Sequence, residues 1–141
     1  MHLQRSFLRL LAAWITLAAL FPGAARAQQD IDVDMSACNQ KITYSQMLLI
    51  LKSPEQYDGK LFRARGKFNY SQVRQLPRII FSDPSGCCEV ALEVEPAQPL
   101  RFPEDYPPLW GDMMITARLV LNPEGSASPC HFAEAVIEWE K

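Results

Sequence analysis

The chain has 141 residues, about one domain's worth, is 48% apolar and 21% charged, and carries a formal net charge of −2. That balance excludes wholesale disorder and a strongly basic nucleic-acid footprint. Eleven prolines against six glycines point to many breaks and not to long helices.

Residues 1–27 have the order of a secretory signal peptide. Arg5 and Arg9 make a basic start, Leu10 to Leu20 is an uncharged apolar run, Pro22-Gly23 breaks it, and Ala25-Arg26-Ala27 supplies small residues for cleavage after Ala27. The alternative, a membrane anchor, needs roughly 20 apolar residues and the run is too short. No arginine pair precedes the run and no cysteine sits at the cleavage point, so the expected product is neither a twin-arginine substrate nor a lipoprotein. Removal of 1–27 takes away Arg5, Arg9 and Arg26 and no acidic residue, leaving a chain of 114 residues with a net charge of −5. The expected mature protein is periplasmic or secreted, acidic, monomeric and without a membrane span.

Residues 28–40, with Asp30, Asp32 and Asp34, read as a flexible leader before a single domain over 41–141. Thr43-Tyr44-Ser45-Gln46 reads as a capping box. Tyr44, Met47, Leu48 and Leu51 recur at helical spacing, predicting a short amphipathic helix over 44–52 that stops before Pro54. One further helical turn from Ser53 would close at Asp58-Gly59.

The period then changes to two. Phe62, Ala64, Gly66 and Phe68 alternate with Arg63, Arg65 and Lys67 in a first strand, and Gly66 marks a tight bend. Arg78 to Ser82 is a second strand, followed by the turn Asp83-Pro84-Ser85-Gly86. Val90, Leu92 and Val94 alternate with acidic residues in a third. Pro96 to Trp110 holds five prolines and predicts a long loop. Met113, Ile115, Ala117, Leu119 and Leu121 form a fourth strand; Ala133, Ala135, Ile137 and Trp139 form a fifth. The expected core joins Phe62, Phe68, Val90, Leu92, Ile115 and Leu119 to Leu48 and Leu51. The fold class is mainly β, a small five-stranded OB-like barrel with an N-terminal helix, because closure removes exposed edges. An open α+β sandwich is the alternative.

The stretch Leu51 to Lys60, followed by Arg65-Gly66-Lys67-Phe68, resembles the opening of exported bacterial OB-fold domains of largely uncharacterised function: a helix, a P-x-x-Y-x-G-K turn and a first strand. Cys87-Cys88 resembles a vicinal cysteine pair that some of them carry at the third strand. The resemblance covers about the first two-thirds of the mature chain. It implies that the third and fifth strands run parallel side by side, which would bring Cys87-Cys88 and Cys130-His131 to one end of the barrel.

All four cysteines, Cys38, Cys87, Cys88 and Cys130, lie beyond the signal segment, and an even count in an exported chain favours disulfides. Adjacent cysteines seldom bond to each other. The expectation is therefore one bridge from each of Cys87 and Cys88, with Cys88–Cys130 preferred on strand parity and Cys38 taking the other. A metal site for zinc or copper from Cys38, Cys87, Cys130 and His131 is the alternative, and a redox-active vicinal pair a third. His131 is the sole histidine after residue 27, and no H-E-x-x-H, G-x-S-x-G or phosphate loop occurs.

The basic row Arg63, Arg65 and Lys67 is expected to pair with Glu89, Glu93 and Glu95 across the sheet and not with nucleic acid. In the Pro-rich loop, Phe102, Tyr106 and Trp110, with Leu109, form either a flap over the core or a partner-binding surface. The expected function is a non-enzymatic binding or structural module of the cell envelope, without a cofactor, serving an envelope protein or a small ligand; the alternative is a metal-handling accessory protein that holds zinc or copper through its Cys/His cluster.

Overall fold

The computed structural model describes residues 29–141; the signal segment expected over 1–27 lies outside them. In chain order the elements are β1 (Val33–Asp34), α1 (Gln40–Lys52), a 3-10 turn (Pro54–Tyr57), β2 (Leu61–Ser71), β3 (Leu76–Ser82), β4 (Glu89–Pro96), β5 (Asp112–Leu121) and β6 (Cys130–Glu138). Strands β2 to β6 close into a five-stranded OB-like barrel, with β1 outside it. The ring runs β2-β3-β4-β6-β5 and returns to β2. β4 and β6 pair in parallel, and the other barrel neighbours are antiparallel.

Closure depends on β2 serving two partners. Its residues 61–67 pair with β5, whereas 67–71 pair with β3. The strand turns its corner at Gly66, where an added Cβ would lie 2.6 Å from Ile79 Cγ1 and 2.8 Å from the Ile80 carbonyl oxygen. Only glycine allows the two strands to approach so closely.

The core fills the ring as the alternation in β2, β4 and β5 predicts. Phe62, Phe68, Leu92, Ile115 and Leu119 are buried there; Val90 and Leu51 are half-buried against them. Leu48 is a correction, because it faces out. The helix begins earlier than expected, at Gln40. Asn39 is its cap, accepting the Ile42 N–H at 2.9 Å, and Thr43 lies inside the first turn with its hydroxyl donating to the Asn39 carbonyl. The buried stripe is therefore Thr43, Met47 and Ile50, rotated away from Leu48.

The segment 28–40 is docked, not a free leader, over its described part. β1 adds in parallel to β2, Met35 donates its N–H to the Arg63 carbonyl, and its side chain is buried.

In β6 the expected phase fails at its start. Cys130 and Phe132 point inward, and Ala135 and Ile137 follow after a bulge at Glu134, whose φ is +52°. Two residues there oppose one on β5, so the alternation changes face within the strand.

Candidate functional site

The β3–β4 connection is built from local hydrogen bonds. Asp83 accepts the Ser85 N–H on its side chain and the Gly86 N–H on its carbonyl, while its own N–H donates to the Cys88 carbonyl at 2.9 Å. Gly86 takes φ +75°, the left-handed value such a turn needs. The loop delivers Cys87 and Cys88 into solvent one residue before β4 begins. Their sulfurs lie 3.0 Å apart, unbonded. The Ser85 hydroxyl donates to Cys87 Sγ at 3.2 Å.

These contacts divide the pair. The hydrogen bond with Cys88, then the one from Ser85, holds the Cys87 thiol below its ordinary range. The same Cys87–Cys88 contact pushes Cys88 up, against a smaller opposing effect of a hydrogen bond with Tyr44. Tyr44 reaches the loop from α1, and its phenol is raised by desolvation and then by the charges of Cys88, Asp83 and Cys87. The N-terminal turn of the helix is tied to the same hairpin by Gln40, whose Nε2 donates to the Ser82 carbonyl.

The structure holds all four cysteines as unbonded thiols, so neither expected bridge is formed in it. The preferred Cys88–Cys130 pairing fails on register. β4 and β6 are parallel neighbours, but Val94 lies opposite Phe132, which puts Cys130 level with Leu92, four residues beyond Cys88. At strand rise that is an offset of ~13 Å. Cys88 also does not share the inward parity of Val90 and Leu92, because it precedes the ladder and is exposed. Cys130 is fully buried, and burial pushes its thiol up to about 11.

The metal set Cys38, Cys87, Cys130 and His131 is likewise not assembled. Among the described residues no three His, Cys, Asp or Glu side chains are grouped to hold an ion. Cys38 sits between β1 and α1, lining a cavity of about 210 Å³ with Gln40, Arg65, Lys67 and Asp112. His131 is engaged by the Asn122 side chain through Nδ1 and lies 3.8 Å from Glu95 through Nε2.

The Pro-rich loop is a flap. Tyr106 is buried and stacks on Phe68 with ring centroids 5.1 Å apart, and Phe102 stacks on Tyr70 at 4.0 Å. Of the three loop aromatics proposed as a binding surface, Trp110 alone is exposed, at 54%. The loop returns to the barrel where the Trp110 N–H donates to the Phe68 carbonyl.

The basic row finds other partners than those expected. Lys67 pairs with Asp112 at 2.6 Å, Arg63 approaches Glu138 at 4.0 Å, and Arg65 donates Nε to the Ser36 carbonyl. Glu89 and Glu93 belong to β4, which β3 separates from β2; Glu93 instead pairs with Arg74. Beside Arg63 and Arg65 opens a cleft of about 610 Å³, lined further by Pro108, Met114, Glu138 and Trp139. Arg63 Nε itself is buried, away from solvent, without a hydrogen-bond partner.

Sequence reasoning missed two groups in these sites. Tyr44 belongs by spacing to the helix's apolar stripe, and its hydroxyl is the one sign of a polar neighbour to meet. Ser85 reads as a turn residue, where serine is common, so its bond to Cys87 has no separate signal.

No helix among the described residues is long and apolar enough to cross a membrane. The chain matches no protein-family model, and comparison with curated proteins and with solved structures returns no significant match.

Proposed function

We propose that this chain is an exported, non-enzymatic binding module of the cell envelope, periplasmic or secreted, that holds a small carboxylate-bearing ligand in the cleft beside β2 and β5. One observation carries the reading: a cleft of about 610 Å³ is lined by two guanidinium side chains, Arg63 and Arg65, and Arg63 meets Glu138 no closer than 4.0 Å. Small-ligand sites run from about 300 to 1,000 Å³ and combine apolar walls with a few polar groups. Pro108, Met114 and Trp139 supply the walls. Arg63 meets Glu138 only at 4.0 Å, which leaves its two terminal nitrogens to grip a bidentate carboxylate. Export is supported by the basic, apolar, small-residue order of 1–27.

Two experiments test this. N-terminal sequencing of the protein recovered from expressing cells should begin at Gln28; a retained Met1 on a membrane-bound protein overturns export. Residues 28–141 contain Trp110 and Trp139 as their only tryptophans. Titration with succinate and with citrate should change their fluorescence saturably for at least one of the two. Arg63→Gln should weaken that response by ~10-fold or more, the loss of one charge-assisted pair. A flat wild-type response to both, or an unchanged midpoint in Arg63→Gln, overturns the assignment.

A further inference from the structure

We propose that Cys87 and Cys88 form a dithiol that reduces disulfides of other molecules, with Cys87 attacking, Cys88 resolving, and a bond between the two as the product. The reaction is stoichiometric, one disulfide per chain, and uses no residue of the Arg63 cleft.

Three features of the hairpin carry it. Both thiols are exposed, so a second molecule's disulfide can approach them. Their sulfurs are already 3.0 Å apart, and the loop that holds them is fixed by the Asp83 turn bonds. The two sulfurs are also not equivalent. Cys87 Sγ accepts a hydrogen bond from the Ser85 hydroxyl and lies in hydrogen-bond contact with Cys88, surroundings that favour its thiolate. The ionisable groups facing the pair are Asp83 on the same hairpin and Tyr44 on α1. The Asp83 charge opposes ionisation of both thiols, and the donors to Cys87 outweigh it there.

The chemistry closes with the substrate disulfide as oxidant. The Cys87 thiol loses its proton to solvent, and the thiolate attacks one sulfur of R–S–S–R. That bond breaks, one R–S⁻ leaves and takes a proton, and Cys87 is left in a mixed disulfide. Cys88 then loses its proton and attacks Cys87 Sγ, and the second R–S⁻ leaves and is protonated. Two electrons have passed from the dithiol to the substrate, yielding two R–SH and one Cys87–Cys88 bond. Consecutive Cα atoms are ~3.8 Å apart, below the ~4.4 Å at which ordinary disulfides begin. The product is thus strained and has a more oxidising potential, so the exchange runs forward on a substrate disulfide that is in excess or more oxidising still, and the bond is easily re-reduced afterwards.

The test uses residues 28–141, reduced, freed of reductant and mixed with a large excess of oxidised glutathione. Cleavage at Arg78 and Arg101 gives a peptide, Ile79 to Arg101, that contains Cys87 and Cys88 and no other cysteine. In the wild type this peptide should lose two hydrogens and retain no glutathione. Cys88→Ser should instead trap one glutathione on Cys87. Cys87→Ser should react at least ~10-fold more slowly than Cys88→Ser, because the remaining thiol lacks the Ser85 donor and keeps only the weaker effect of Tyr44. A wild-type peptide that keeps glutathione, or that is found linked to the Cys38 or Cys130 peptide, overturns the proposal. Equal rates for the two single variants overturn the assigned roles. Both residues are exposed, so circular dichroism spectra of the variants should match the wild type.

Discussion

The barrel has two hairpins that carry cysteine, and they treat it oppositely. In the β3–β4 hairpin, Cys87 and Cys88 fall in the connection and stay in solvent. In the β5–β6 hairpin, Cys130 falls inside the ladder opposite Leu121 and points into the core. The second connection is closed by Asn122, whose N–H donates to the Pro129 carbonyl and whose side-chain amide donates to Ser128. That closure lets the ladder begin at Cys130. Where pairing starts, just after Cys88 in one hairpin and at Cys130 in the other, separates two exposed thiols from a core-filling one.

The largest effect expected from breaking this contrast is on the buried side. Phe132 follows Cys130 on the inward face of β6 and meets Phe62 edge-on at 5.8 Å. Phe132→Ala should lower unfolding free energy by about 3–5 kcal/mol in urea titration, the usual cost of an aromatic-sized cavity. A loss below about 1 kcal/mol would mean that the bulge at Glu134 does not set the phase of β6.

Titration sharpens the contrast next. The Cys130 thiol rises from its ordinary value of 9.0 to about 11 in the folded protein. A raised folded value favours the neutral form, so its contribution to stability is full below pH 9 and is lost as pH climbs through 11. Cys130→Ala should flatten the fall in stability over that window, read from denaturant midpoints. Iodoacetamide at pH 8 should label Cys87 first and Cys130 only on unfolding. Early labelling of Cys130 would contradict its burial.

The smallest effect belongs to the exposed hairpin. Ser85→Ala removes one hydroxyl from the surface, so stability should change by no more than about 0.5 kcal/mol. Cys87 alkylation should nonetheless slow by a few-fold, on the order of a lost hydrogen bond. An unchanged rate would show that Ser85 does not act on Cys87.

The barrel was readable because strict alternation in β2, β4 and β5 leaves one choice of inward face. Gly66 was readable as a corner for the same reason, since its position in the pattern demanded a buried side chain and it has none. The losses arose where the pattern has two settings. Asn39 and Thr43 are both competent caps, and choosing the earlier one shifts the buried stripe from Leu48 to Ile50. Glu134 carries no mark of a left-handed residue, so the change of face in β6 could not be anticipated. Cys88 sits one position outside its strand, where parity stops applying. The Lys67–Asp112 pair and the approach of Arg63 to Glu138 depend on which strand closes the ring beside β2, a long-range fact that alternation does not encode. The unpaired Arg63 Nε is equally a property of packing and not of pattern.

The division of β2 between β3 and β5 also governs when this chain is able to fold. Leu61 pairs with Arg118, so the ring cannot shut until nearly the whole sequence is present. Pairings of such separation incur their loop-closure cost early and place small β-barrels among the slower-folding domains, in milliseconds to seconds. Until β5 arrives, the first half of β2 offers bare amide and carbonyl groups, an invitation to pair with another chain. A nascent or truncated chain lacking residues 112–138 would therefore be prone to assemble with its own copies.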